Sequence, residues 1–282
     1  MRPKTEEFLN LLLWSTNLLA RPTFRNLTDS YESWAFRERI KSQVWRLQKQ
    51  GFVDSDFNAR NDRLYRLSAQ GRLHVLGGRD PESQWSRTWD GLWRLVLFDV
   101  PVGHNAQREA LRRYLREKGF GYLQKSAWVT PDRLDEEREI LRSGEINVES
   151  LLLLESRLCG GESNTQIVNG AWDFVEINSR YVRHLEILAA RPVGALRDEA
   201  SGRKMSEWAS REREAWLAAV RSDPLLPEPL LPTGYLGKKS WHRRLEVLGK
   251  AGRQIRGFVP AKCATNSCRI CNKNSLREGP SS

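Results

Sequence analysis

The chain opens with apolar residues at helical spacing. Phe8, Leu11, Leu12, Leu18 and Leu19 share one face of a helix that Pro22 ends. A second short helix is predicted around Asp29 to Trp34. A third is predicted from Ala35 to Gln50, with Phe36, Ile40, Val44 and Leu47 on its apolar side and Gly51 as its stop. The spacing then changes. Residues 52–57, a polar turn from Asn58 to Asp62, and Arg63 to Leu67 read as a β-hairpin. Ser68 caps one more helix to about Leu76, and Gly77-Gly78 end the section. Three helices followed by a hairpin is the order of a winged helix-turn-helix, in which the third helix enters the major groove of DNA.

A linker from Gly77 to Ser86 leads into a different pattern. Leu92 to Val100 is a buried strand ended by Pro101, and Asn105 to Lys118 is a helix with Ala106, Ala110, Leu111, Tyr114 and Leu115 inward. A strand from Gly121 to Val129, a polar helix from about Leu134 to Arg142 and a strand from Leu151 to Glu155 follow. Two β-α-β units of this size predict a ferredoxin-like layer, whose free face or edge invites pairing with a second copy. Beyond a loop from Gly160 to Gly170, helices are predicted from Asp173 to Leu188, Met205 to Val220 and Trp241 to Ile255. The proline-rich stretch Asp223 to Pro232 between the last two is an extended strap. The fold class is therefore α+β. The expected domains are a winged helix-turn-helix over 1–78, a ferredoxin-like dimerisation domain over 87–158, a helical C-terminal domain over 171–256 and a disordered basic tail over 257–282.

Charge sharpens this division. The 282 residues carry a net charge of +11, distributed as +4 over residues 1–84, −2 over 85–237 and +9 over 238–282. A positive excess of this kind points to an anionic partner. Apolar runs such as Leu11 to Trp14 and Leu151 to Leu154 fall far short of the roughly 20 residues a membrane-spanning helix needs. Acidic residues stand where a signal peptide would place its apolar stretch, so the expected compartment is the cytoplasm.

The candidate DNA-binding residues lie opposite the apolar stripe of the third helix and near the hairpin tip. Arg37, Arg39, Lys41, Ser42, Trp45, Arg46 and Lys49 form the helix set, and Arg60 and Arg63 the hairpin set. Cations at these places neutralise phosphates, while Arg37, Arg39 or Lys41 near the helix start can reach guanine O6 and N7. A solvated charged face is the alternative reading of the same residues, in which Trp45 could be packed inside; the order of elements and the basic hairpin tip favour DNA contact. In the tail, Cys263, Cys268 and Cys271 have spacings that suit a metal or an iron-sulfur cluster, but three thiols are one too few for a closed structural site. His74, His104, His184 and His242 share no ligand spacing and are expected at the surface or partly packed. With no phosphate loop, H-E-x-x-H or G-x-S-x-G motif, neither an enzyme nor a cofactor is expected.

Three segments resemble one family in the right order. Trp89 to Pro131 is similar to the central domain of the PaaX-type repressors, regulators of phenylacetic acid degradation. Ala171 to Tyr181 is similar to that family's linking helix, and Asp223 to Pro232 to its C-terminal signature. The resemblance implies a homodimeric repressor that binds a double-stranded operator and is released by a small-molecule effector, an aryl-coenzyme A thioester in the named member. The family's recognition-helix pattern falls on Ile40 to Leu47. There Lys41 and Arg46 keep their charge type while Gln43 and Trp45 depart from it, which implies a different operator. The central domain also resembles small ferredoxin-like CRISPR-associated nucleases, in which an aspartate at the end of the first strand holds a metal. Asp99 occupies the matching place, making a metal-dependent nuclease the alternative function. Asp99 equally suits a turn cap before Pro101 or an ion pair with Arg94 or Arg112.

Overall fold

The computed structural model describes residues 44–57, 63–99, 103–124, 127–134, 150–195 and 199–256. It is a mixed α and β structure whose described residues fall into two units. One holds 44–72, Ala190–Ser210 and 245–256, and the other holds Leu73–Ala189 and Arg211–Arg244. The first two predicted helices, the start of the third and the C-terminal tail lie outside the described residues.

In the first unit, helix α1 is described over 44–49 and stops as its sequence predicts. Gly51 adopts a positive φ of 73°, and the amides of Gly51 and Phe52 return to the carbonyls of Gln48 and Leu47. This pair of reverse hydrogen bonds is a Schellman motif, which satisfies helix-end carbonyls at the cost of one left-handed residue. Strands β1 (Val53–Phe57) and β2 (Arg63–Leu67) pair antiparallel, with Val53 opposite Leu67 and Phe57 opposite Arg63. Helix α2 (Ala69–Val75) follows, and Ser68 Oγ accepts from the Gly71 amide at 2.9 Å. Gly71 is required by space, because a Cβ there would stand 2.0 Å from the Phe52 carbonyl oxygen.

The stretch read as a linker contains a helix in the second unit. In α3 (Pro81–Trp85) Asp80 caps the first turn, Pro81 supplies a preset φ, and Trp85 is buried with its indole N–H donating to Tyr235 Oη at 3.0 Å. Strand β3 (Trp93–Asp99) and helix α4 (Asn105–Glu117) form close to their predicted bounds; Leu111 and Leu115 are buried, whereas Ala106 and Ala110, expected inward, are exposed. The single strand expected over Gly121 to Val129 is instead two, β4 (Gly121–Gln124) and β5 (Ala127–Thr130), paired antiparallel with a register irregularity at Tyr122/Gln124. With β6 (Ser150–Ser156) they form an antiparallel sheet in the order β4-β5-β3-β6. Val96, Phe98, Leu111, Leu115, Phe120, Trp128 and Leu134 make a core cluster in this unit. The polar helix expected after Leu134 lies outside the described residues.

The stretch from Gly160 to Gly170, expected as loop, holds helix α5 (Asn164–Ala171). Its start is a capping box: Ser163 accepts from the Gln166 amide, and the Gln166 side chain accepts from the Ser163 amide. Helix α6 (Phe174–Ala189) follows. Helices α7 (Glu199–Ser222) and α8 (Gly237–Arg256) both start earlier than the apolar spacing predicts. Between them the strap is non-helical apart from one 3-10 turn at Glu228–Leu230, with Leu225 at a left-handed φ of 52°, and Leu225, Leu226 and Leu230 are buried. Two arginines hold its backbone: Arg79 donates to the Asp223 and Pro224 carbonyls, and Arg87 donates to the Leu225 carbonyl.

His184 departs from the surface or partly packed placement expected of it. It is fully buried, with Nδ1 2.7 Å from Ser240 Oγ and Nε2 3.0 Å from Glu212 Oε1. Arg244 donates to the same Glu212 carboxylate at 2.6 Å and lies over the Trp216 ring, 4.9 Å from its centroid. Burial pushes the Glu212 pKa up, yet Arg244 and His184 outweigh it and hold the group below the ordinary glutamate value. Nearby, Asp223 is buried and accepts from Tyr181 Oη at 2.5 Å, from Tyr235 Oη and from the Leu225 amide. Here burial prevails over those hydrogen bonds, so the Asp223 carboxyl lies above the ordinary aspartate value.

Candidate nucleic-acid interface

The described part of α1 has two distinct sides. Val44 and Leu47 are buried, whereas Trp45, Arg46 and Lys49 are exposed and, at helical spacing, fall within one arc. Trp45 is 62% exposed, which decides against its packing inside. The Lys49 ammonium lies 5.4 Å from the centroid of the Trp45 ring, within the range of a cation–π contact. A cation in the last turn also complements the negative end of the helix dipole.

The hairpin is tied to this helix by side chains as well as by the chain. Gln48 Nε2 donates to Ser55 Oγ at 2.9 Å, and Ser68 Oγ donates to the Gly51 carbonyl. Alternation along β1 puts Val53, Ser55 and Phe57 on one face and Asp54 and Asp56 on the other. Phe57, on the face that carries Ser55, is 59% exposed and stands opposite Arg63 in the ladder. Sequence reasoning passed over Phe57. Its signal was an aromatic at the last position of β1, where alternation no longer carries it over the core.

Of the predicted interface residues, Arg37, Arg39, Lys41, Ser42 and Arg60 lie outside the described residues, and Arg63 is placed by its backbone alone. Asp99 is exposed at the end of β3, opposite Ser150 of β6. Arg94, one suggested partner for it, is held bidentately by Asp90 at 2.7 and 2.5 Å and contacts Glu155 at 3.4 Å. The hydrogen bond from Arg94 leads the causes that hold the Asp90 carboxyl down at about 2. Among the described residues no group of three or more His, Cys, Asp or Glu is placed to hold a metal. Cys263, Cys268 and Cys271 lie outside them. Among the described residues no helix is long and apolar enough to cross a membrane.

A cleft of about 250 Å³ lies in the second unit, lined by Leu92, Leu134, Leu153 and Leu154 with Asp90, Arg94, Arg133 and Glu155.

Residues 86–168 match the family described as PaaX protein central Cas2-like domain. Over 267 residues the chain is 24% identical to the transcriptional repressor PaaX of Escherichia coli (strain K12), covering 89% of this chain and 81% of the relative. In fold, the chain is similar to the uncharacterized protein Rv0674 from Mycobacterium tuberculosis, with a TM-score of 0.54 and 22% identity, covering 89% of this chain and 97% of that one. The central-domain match and the likeness along most of its length make the chain similar to the PaaX-type repressors.

Proposed function

We propose that this chain is a DNA-binding transcriptional regulator, acting as a homodimeric repressor and not as an enzyme. The observation that carries the reading is the exposed arc of Trp45, Arg46 and Lys49 on a helix braced against a hairpin, in a chain similar to a repressor. In this reading residues 1–78 form a winged helix-turn-helix whose third helix enters the major groove. Arg37, Arg39, Lys41 and Ser42 extend the helix contact, and Arg60 and Arg63 bind the backbone. Residues 87–158 form the ferredoxin-like layer that joins two copies, and 171–256 the helical domain that passes on effector binding. The effector, by family resemblance, is an aryl-coenzyme A thioester.

The sheet supports the homodimer. Among the described residues strand β6 ends the strand order, and its Leu152 and Leu154 are 55% and 44% exposed. A long apolar edge strand is a template for pairing, and a second copy of the same strand satisfies it symmetrically.

Selecting bound duplexes from a random DNA library with the full-length protein in EDTA tests the reading. An inverted repeat, bound by two chains, is the expected result, and recovery without sequence preference overturns it. A second reading, a metal-dependent nuclease, is favoured by the exposed Asp99 within the Cas2-like match. It requires cleavage with Mg²⁺ or Mn²⁺ that Asp99→Asn abolishes.

A further inference from the structure

Trp45 is the largest exposed apolar side chain on the α1 face, and neither helix stability nor core packing accounts for it. Tryptophan is only a moderate helix former, and a ring left 62% exposed forgoes most of the burial that makes it valuable. Arg46 and Lys49 share its arc, and the Lys49 ammonium faces the ring. The face thus combines cations, which suit phosphates and guanine edges, with a broad apolar plane that suits neither. An indole has a single N–H donor and no acceptor, so it reads no hydrogen-bond pattern beyond one acceptor. In the major groove one base carries an apolar group on its edge, the 5-methyl group of thymine. We propose that Trp45 is a specificity-determining residue whose indole face packs against a thymine 5-methyl group in the major groove of each half-site. Lys49 beside it keeps the ring in place while reaching the flanking phosphate.

This inference rests on the DNA-binding reading and is separable from it. The probe is a duplex recovered from the random-library selection, compared with the same duplex in which each thymine in turn is replaced by deoxyuridine, which removes only the methyl group. Removing one methyl contact should weaken wild-type binding about fourfold at one thymine per half-site. Trp45→Ala should bind the parent duplex more weakly and show no further loss at that thymine. Equal sensitivity to deoxyuridine in wild type and Trp45→Ala overturns the proposal, as does a wild type insensitive at every thymine. If Trp45→Ala leaves duplex binding intact but weakens binding to single-stranded DNA, the ring stacks on an unpaired base and the methyl assignment fails. If wild type binds no duplex, the DNA-binding reading itself falls. Circular dichroism of the variant keeps a folding defect apart from a lost contact.

Discussion

Replacing Glu212 by Gln should be among the costliest isosteric changes in the second unit. The carboxylate lies between Arg244 and His184, and the side chains of Arg244 and Glu212 are 0% and 1% exposed. Gln keeps the shape and one acceptor oxygen but removes the charge. Arg244 then remains a buried cation without its counterion, and its Nη1 already lacks a hydrogen-bond partner. Breaking a buried ion pair by removing one partner costs about 3–5 kcal/mol, because the other charge stays desolvated. With a urea m-value of about 2 kcal/mol/M, the unfolding midpoint should fall by about 1.5–2.5 M. The paired variant Glu212→Gln/Arg244→Met tests the cause. Removing both charges leaves a neutral acceptor beside an apolar chain of similar length, so the double variant should lose much less than the two single losses added together. The reasoning is refuted if Glu212→Gln unfolds within about 1 kcal/mol of wild type, or if the two single losses add.

Gly71→Ala would gain about 1 kcal/mol in helix propensity, but its Cβ would collide with the Phe52 carbonyl at 2.0 Å. Overpacking at about 1–3 kcal/mol, with loss of the Ser68 amide bond to that carbonyl, should win; urea unfolding and faster amide exchange across β1 and β2 would report a net loss of about 2 kcal/mol. A wild-type midpoint would show that the hairpin joint yields freely. For Asp223 the sign follows from its raised pKa: the folded state holds the proton more tightly than the unfolded state. Its contribution is complete below the ordinary aspartate pKa and is lost as pH rises through the raised folded value. Urea midpoints measured upward from about pH 4 should therefore fall more steeply for wild type than for Asp223→Asn. Equal slopes would mean that Asp223 titrates alike in both states.

The parts of the fold that were legible in the sequence are those where local rules agree. The hairpin followed from a change of apolar spacing and a polar turn, and the end of α1 from a glycine placed for a Schellman stop. The errors came from composition overriding position. Gly, Ser and Asn between 160 and 170 suggested a loop, although Ser163 and Gln166 spell a capping box. Glycines and a proline around Pro81 suggested a linker, although Asp80-Pro81 is a helix start. The break between β4 and β5 carries no glycine or proline, so nothing local distinguishes it from continuous strand. For the site, the sequence supplied the residue set of α1 but not the exposure of Trp45, which depends on what the rest of the fold leaves uncovered. The meeting of His184, Glu212, Ser240 and Arg244 was invisible for another reason. Each type is ordinarily a surface residue, and their proximity depends on three helices packing.

The grip of Arg79 and Arg87 on the strap also sets an order in time. Their carbonyl partners come 144 and 145 residues later for Arg79 and 138 for Arg87. Closing a loop of that length costs more entropy than any local contact, and nothing repays it until the strap exists. During synthesis the sheet strands and α4 can assemble early, but the second unit is finished only after Leu225 has left the ribosome. A chain that stops before Asp223 would expose the seats of Leu225, Leu226 and Leu230, take both strap carbonyls from Arg79 and leave Arg87 with only the Gln84 carbonyl and Asp132.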